Sequence, residues 1–101
     1  MVTRKDAKST SAKKKVLKKA NFSFIAPDAH SVQLAGDFNA WNPTVNPLKK
    51  SSNGLWKINL NLSPGRYEYR FLVDGKWHND PQCATHVANP FGEDNCLLIL
   101  D

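Results

Sequence analysis

The chain has 101 residues, 41% hydrophobic and 10% aromatic, which fits one small globular domain with a thin core and excludes a wholly disordered polymer. No apolar run approaches the roughly 18 residues of a membrane span and no N-terminal apolar block resembles a signal peptide, so no membrane association is expected and the cytoplasm is the default compartment. The formal charge of +5 is uneven: residues 1–20 carry eight basic residues against Asp6, a net +7, whereas the remainder carries six against eight acidic ones, a net −2.

Residues 1–18 are rich in Lys, Ser, Thr and Ala without turn punctuation, and read as a flexible Lys-rich tail. Residues 19–101 switch to short alternating runs between turn clusters, the pattern of an all-β sandwich. The expected strands are Lys19 to Ile25, Ser31 to Gly36, a short one around Leu48, Leu55 to Leu62, Arg66 to Val73, Lys76 to Asn79, and Cys96 to Leu100. Between them stand Pro27-Asp28, Asn42-Pro43, Asn53-Gly54, Ser63-Pro64-Gly65 and Asn89-Pro90-Phe91-Gly92, which supply the fixed or positive φ that turns require. No ten-residue stretch after residue 20 has helical periodicity, so essentially no helix is expected. In Leu55 to Leu62, Trp56, Ile58, Leu60 and Leu62 alternate with Lys57, Asn59 and Asn61, giving one buried and one wet face.

The Asp74-Gly75 pair between two extended runs predicts a two-residue type I′ hairpin, because both positions tolerate positive φ. Closing that turn sets Val73 opposite Lys76 and Leu72 opposite Trp77. Paired residues project to one face, as do residues two apart, so Arg70, Leu72 and Trp77 share a face opposite Tyr69, Phe71 and Val73. If the aromatic row faces the core, Trp77 does not: it either covers the sandwich edge or packs under a loop, or it stands in water to meet a partner. A second indole, Trp41, lies in the loop sequence Asp37-Phe38-Asn39-Ala40-Trp41-Asn42-Pro43, which cannot easily bury it. Two exposed indoles beside hydrogen-bonding groups suit a partner with an apolar face and polar edges: a sugar ring, a nucleobase or a proline-rich peptide.

Cys83 and Cys96 are too few for a disulfide-stapled scaffold and have no companion pair at zinc-site spacing; both are expected as reduced thiols, with no metal and no cofactor.

Four stretches resemble, in order and spacing, the family-48 carbohydrate-binding modules: Gly36 to Trp41, Pro64 to Trp77, Asn79-Asp80-Pro81, and Asn89 to Asn95. That family includes the glycogen-binding domain of AMP-activated protein kinase β subunits and the N-terminal early-set domains of isoamylases and branching enzymes. The resemblance covers about residues 20–100. It implies an immunoglobulin-like (early-set) sandwich of about seven antiparallel strands that binds α-1,4-linked glucans such as glycogen and maltooligosaccharides. By the same resemblance Trp41 and Trp77 stack on glucose rings, Arg70 stands where a lysine hydrogen-bonds the sugar, and Asn95 matches a ligand-contacting asparagine. Phe91 is the nearest equivalent of an apolar residue that packs against the sugar. Glu93 falls where the kinase domain has a threonine, so this loop reads more like the enzyme-attached modules. A glycogen-metabolising enzyme is the partner class such a module implies.

Catalysis is not expected. Glycoside hydrolysis needs two carboxyl groups flanking the bond, but Asp74 is committed to a turn, Asp37 and Asp80 lie in loops, and Glu68 sits on a strand face. The histidines His30, His78 and His86 are dispersed. The tail lacks aromatic interleaving or a nucleic-acid motif, so nucleic acid is not the expected partner. The alternative reading is a protein-interaction module with a vestigial sugar site, its tail touching an acidic partner or nucleic acid. Met1 and a last strand ending at Asp101 suggest a complete chain, and a truncated one would read the same.

Overall fold

The computed structural model describes residues 16–101, so the expected flexible tail lies, for residues 1–15, outside the described residues. Nine strands follow in order: β1 (Lys18–Ile25), β2 (Val32–Gly36), β3 (Asn46–Pro47), β4 (Lys49–Lys50), β5 (Leu55–Leu62), β6 (Gly65–Val73), β7 (Lys76–His78), β8 (His86–Ala88) and β9 (Asp94–Leu100). Two single 3₁₀ turns, Asp37–Asn39 and Ser52–Gly54, are the only helical elements among the described residues.

The strands form two antiparallel sheets, one ordered β3-β2-β6-β9-β8 with β7 also paired to β6, the other ordered β1-β5-β4. Their inner faces make an immunoglobulin-like sandwich. Phe22 of β1 meets Tyr69 of β6 edge-on at 5.1 Å between centroids, and Phe24 meets Phe71 at 5.1 Å. Ala20, Val32, Leu34, Leu48, Trp56 and Cys96 complete the buried cluster, with Phe24 half-buried against it. Each large side chain so buried contributes about 1.5–3 kcal/mol. Lys57, Asn59 and Asn61 on β5 are exposed, as the alternation requires.

The short strand expected around Leu48 resolves into two bridges, β3 in the larger sheet and β4 in the smaller. Leu48 lies between them, buried, with its N–H donating to Val32 O at 2.9 Å, so the chain changes sheets there. Strand β1 begins at Lys18, one residue inside the expected tail. The last strand starts at Asp94 rather than Cys96, because β8, which the periodicity did not reveal, pairs with its first three residues.

The reading of Cys83 and Cys96 as reduced thiols is overturned: they are joined in a disulfide, their Cα atoms 6.0 Å apart. The turn following β7 brings them together. Asp80 Oδ1 accepts the Gln82 N–H at 2.9 Å and Asp80 O accepts the Cys83 N–H at 3.2 Å, which folds the chain back onto β9. Sequence separation alone does not reveal that return.

Candidate functional site

The β6–β7 hairpin has the register its Asp-Gly turn dictates. Leu72 faces Trp77 and Val73 faces Lys76. Asp74 and Gly75 both take positive φ, at 48° and 83°. The Asp74 carboxylate also accepts the backbone N–H groups of Ser31 and His30 at 2.8 and 2.9 Å, anchoring the turn to the start of β2. With Tyr69 and Phe71 in the core, Trp77 is turned outward and is 44% exposed.

Trp41 arrives from a different element. Gly36 lies so close to β6 that a Cβ there would sit 2.6 Å from Glu68 O and 2.8 Å from Tyr69 Cβ, so only glycine fits without displacement. The following 3₁₀ turn ends with Ala40 and Trp41 both at positive φ, 56° and 59°. This doubles the chain back so that the Trp41 N–H donates to Gly36 O at 2.9 Å. Asn39 braces the turn, its Oδ1 accepting Gly36 N–H and its Nδ2 donating to Leu34 O and Asn46 Oδ1. Trp41 is half-buried rather than fully exposed. Its ring lies 6.4 Å from that of Trp77, the planes at 64°.

These two indoles form one side of an open groove of about 710 Å³ on the outer face of the six-stranded sheet, and Arg70, Phe91 and Asn95 line it too. All five residues singled out from the sequence therefore meet in one groove. Arg70, with only 12% of its side chain exposed, donates through Nε to Asn79 Oδ1 at 2.9 Å and through Nη1 to Glu93, with which it forms an ion pair. Asn95, buried, donates through Nδ2 to Glu68 Oε1 at 3.0 Å and accepts from Asn89 Nδ2 at 3.1 Å. Asn89 Oδ1 in turn accepts the N–H groups of Phe91 and Glu93, shaping a loop in which Phe91 stands 87% exposed.

Sequence reasoning missed Asp37 and Asn89 as organising residues. Asp37 Oδ1 accepts the Trp41 Nε1–H at 3.0 Å, and Oδ2 accepts the Glu68 N–H at 2.7 Å. One carboxylate thus ties the loop indole to the strand that carries Arg70. The signal was the four-residue spacing from Asp37 to Trp41, which says nothing until the loop's positive φ values are known. Glu68 was not singled out either, although strand alternation puts it on the face of Arg70.

Behind the groove, the buried Tyr69 hydroxyl donates to Asp80 Oδ2 at 2.8 Å. Burial and then the neighbouring carboxylate push its pKa well above the usual phenol range. No helix among the described residues is long and apolar enough to cross a membrane.

The family described as "Glycogen recognition site of AMP-activated protein kinase" matches residues 20–100. The chain is 39% identical over 79 residues to Protein PTST homolog 2, chloroplastic, of Arabidopsis thaliana, a match covering 77% of this chain and 14% of that protein. It is 46% identical over 67 residues to 5'-AMP-activated protein kinase subunit beta-1 of Sus scrofa, covering 66% of this chain and 52% of that subunit. Over 70 residues it is 40% identical to the 1,4-alpha-glucan branching enzyme GlgB 2 of Rhizobium johnstonii, covering 66% and 9% respectively. The chain therefore spans at most about half the length of these relatives. Their names include a chloroplastic protein, so the cytoplasmic compartment expected from the sequence does not follow from the family.

Proposed function

Because the chain belongs to the family of the glycogen recognition site of AMP-activated protein kinase, we propose that it is a non-catalytic module that binds α-1,4-linked glucan, with glucose rings against Trp41 and Trp77. The observation that carries the reading is the pair of indoles, 6.4 Å apart, on a groove that also holds a guanidinium and a carboxamide. A sugar ring has an apolar face of C–H groups and an equatorial rim of hydroxyls. The indoles suit the face, Arg70 and Asn95 suit the rim, and Phe91 packs against the ring from the last loop.

The carboxylates of the groove support a binding rather than a hydrolytic role. Asp37 accepts from Trp41 and Glu68, Glu68 accepts from Asn95, and Glu93 is paired with Arg70. Each is engaged in holding the groove together, which leaves no acid–base pair among these residues to flank a glycosidic bond. Two stacking contacts at about 0.5–1.5 kcal/mol each beyond area burial, with a few hydrogen bonds at about 1 kcal/mol, amount to several kcal/mol before the cost of association. Affinity for short oligosaccharides is therefore of the order of micromolar to millimolar. The partner class that fits such a module is a glycogen-metabolising enzyme brought to its substrate.

Native electrophoresis in gels with and without glycogen tests this, with wild type beside Trp77→Ala. Wild type is retarded by glycogen and the folded variant is not. Equal mobility of both folded proteins in both gels would instead favour a protein-interaction module with a vestigial groove.

A further inference from the structure

Across the β8–β9 pairing, His86 stands directly opposite Cys96, and the turn from Asp80 delivers Cys83 to the same place. Cys83 Sγ lies 3.3 Å from His86 Nε2, and the ligand atoms of Cys83, His86 and Cys96 all fall within 4.8 Å of one another. Bond lengths of about 2.3 Å to sulfur and 2.0–2.1 Å to imidazole nitrogen place tetrahedral ligand atoms roughly 3.4–3.8 Å apart. Cys83 and His86 are therefore already near the spacing one divalent ion requires, and the two sulfurs, bonded to each other in the disulfide, reach it by moving apart on reduction. The chemistry is soft, two sulfurs and an imidazole, which selects zinc-like ions over magnesium or calcium. Access is graded: Cys96 is buried, Cys83 half-buried and His86 exposed, so the histidine side is the one open to solvent.

We propose that Cys83, His86 and Cys96 form a redox-gated zinc site, closed while the cysteines are bonded and open when they are reduced. The site is separate from the sugar groove and does not rest on the glucan reading. Opening follows thiol–disulfide exchange with a dithiol reductant. One reductant thiolate attacks Cys83 Sγ, the more accessible sulfur, forming a mixed disulfide and releasing the Cys96 thiolate. The second reductant thiolate then displaces the Cys83 thiolate and leaves the reductant as its own disulfide. Two electrons pass to the protein and two cysteine thiolates result. Protons taken up by those sulfurs are given back when zinc binds, because both ligate as thiolates. His86 donates its Nε2 lone pair as the neutral imidazole.

The test adds Co²⁺, then Zn²⁺, to the full chain in oxidised form and after reduction by a phosphine, which avoids a metal-binding dithiol. Binding is read by thiolate-to-cobalt absorption and native mass spectrometry. Reduced wild type takes up one ion, with thiolate–cobalt bands that Zn²⁺ displaces, and oxidised wild type takes up none. Cys83→Ser abolishes the bands. His86→Ala, at an exposed position that leaves both cysteines intact, weakens binding at least roughly tenfold, the lower end of what altering even an outer-shell partner costs. Reduced wild type without thiolate–cobalt bands, or His86→Ala binding as tightly as wild type, overturns the proposal.

Discussion

Replacing Asp37 by alanine removes two acceptors at once, one for the Trp41 indole N–H at 3.0 Å and one for the Glu68 amide at 2.7 Å. Both bonds lie near water, so the freed donors are rehydrated and the stability loss stays within about 1.5–3 kcal/mol, the scale of one hydrogen bond to a charged group. The larger consequence is for binding. On the proposed glucan reading, Trp41 without its anchor has to be ordered when sugar arrives, at about 0.5–1.5 kcal/mol, which should weaken the complex roughly 2- to 13-fold. Asp37→Asn keeps a single carbonyl acceptor and points its NH₂ at the other donor, so it should fall between wild type and alanine. Calorimetric titration with maltoheptaose gives the affinity and urea denaturation gives the stability. Asp37→Ala that is destabilised as stated yet binds the sugar as tightly as wild type would refute the reasoning, for it would show that Asp37 serves the fold and not the posture of Trp41.

Tyr69→Phe deprives the largely buried Asp80 carboxylate of the 2.8 Å phenol donor and should cost about 1–3 kcal/mol in urea denaturation. It should also remove part of the alkaline loss of stability, because a phenol whose folded pKa lies above its ordinary 10.0 loses its contribution as pH rises past that value. Asp74 has the opposite sign. The N–H groups of Ser31 and then His30 hold its carboxyl below the ordinary 3.8, so its contribution is present above that pH and is lost as pH falls below it. Acid titration of stability should therefore be shallower in Asp74→Asn than in wild type.

The hairpin and its outward tryptophan were legible because they depend on local rules. Asp74-Gly75 specifies its turn, the turn specifies the register, and the register fixes the faces of Arg70 and Trp77. The same holds for β5, where alternation from Trp56 to Leu62 separates core from water. What escaped were features set by long-range return of the chain. Strand β8 has three residues, too few to show a period, and exists because β9 offers it an edge. The disulfide depends on the turn organised by Asp80. Trp41 was expected in water, yet the left-handed residues Ala40 and Trp41 fold its ring back toward Asp37 and half bury it. The pairing of Arg70 with Glu93 joins residues 23 apart in sequence and had no local signal.

The chain's three tryptophans allow the central claim to be tested in one spectrum. Trp41 and Trp77 lie on the groove, while Trp56 is buried on the other sheet with its indole N–H donating to Ala26 O at 2.9 Å. Maltoheptaose titrated into ¹⁵N-labelled protein should move the Trp41 and Trp77 indole signals together along one binding isotherm and leave that of Trp56 in place. Indole signals of Trp41 and Trp77 that stay fixed at millimolar sugar, or a shift confined to Trp56, would contradict an α-glucan site on this face.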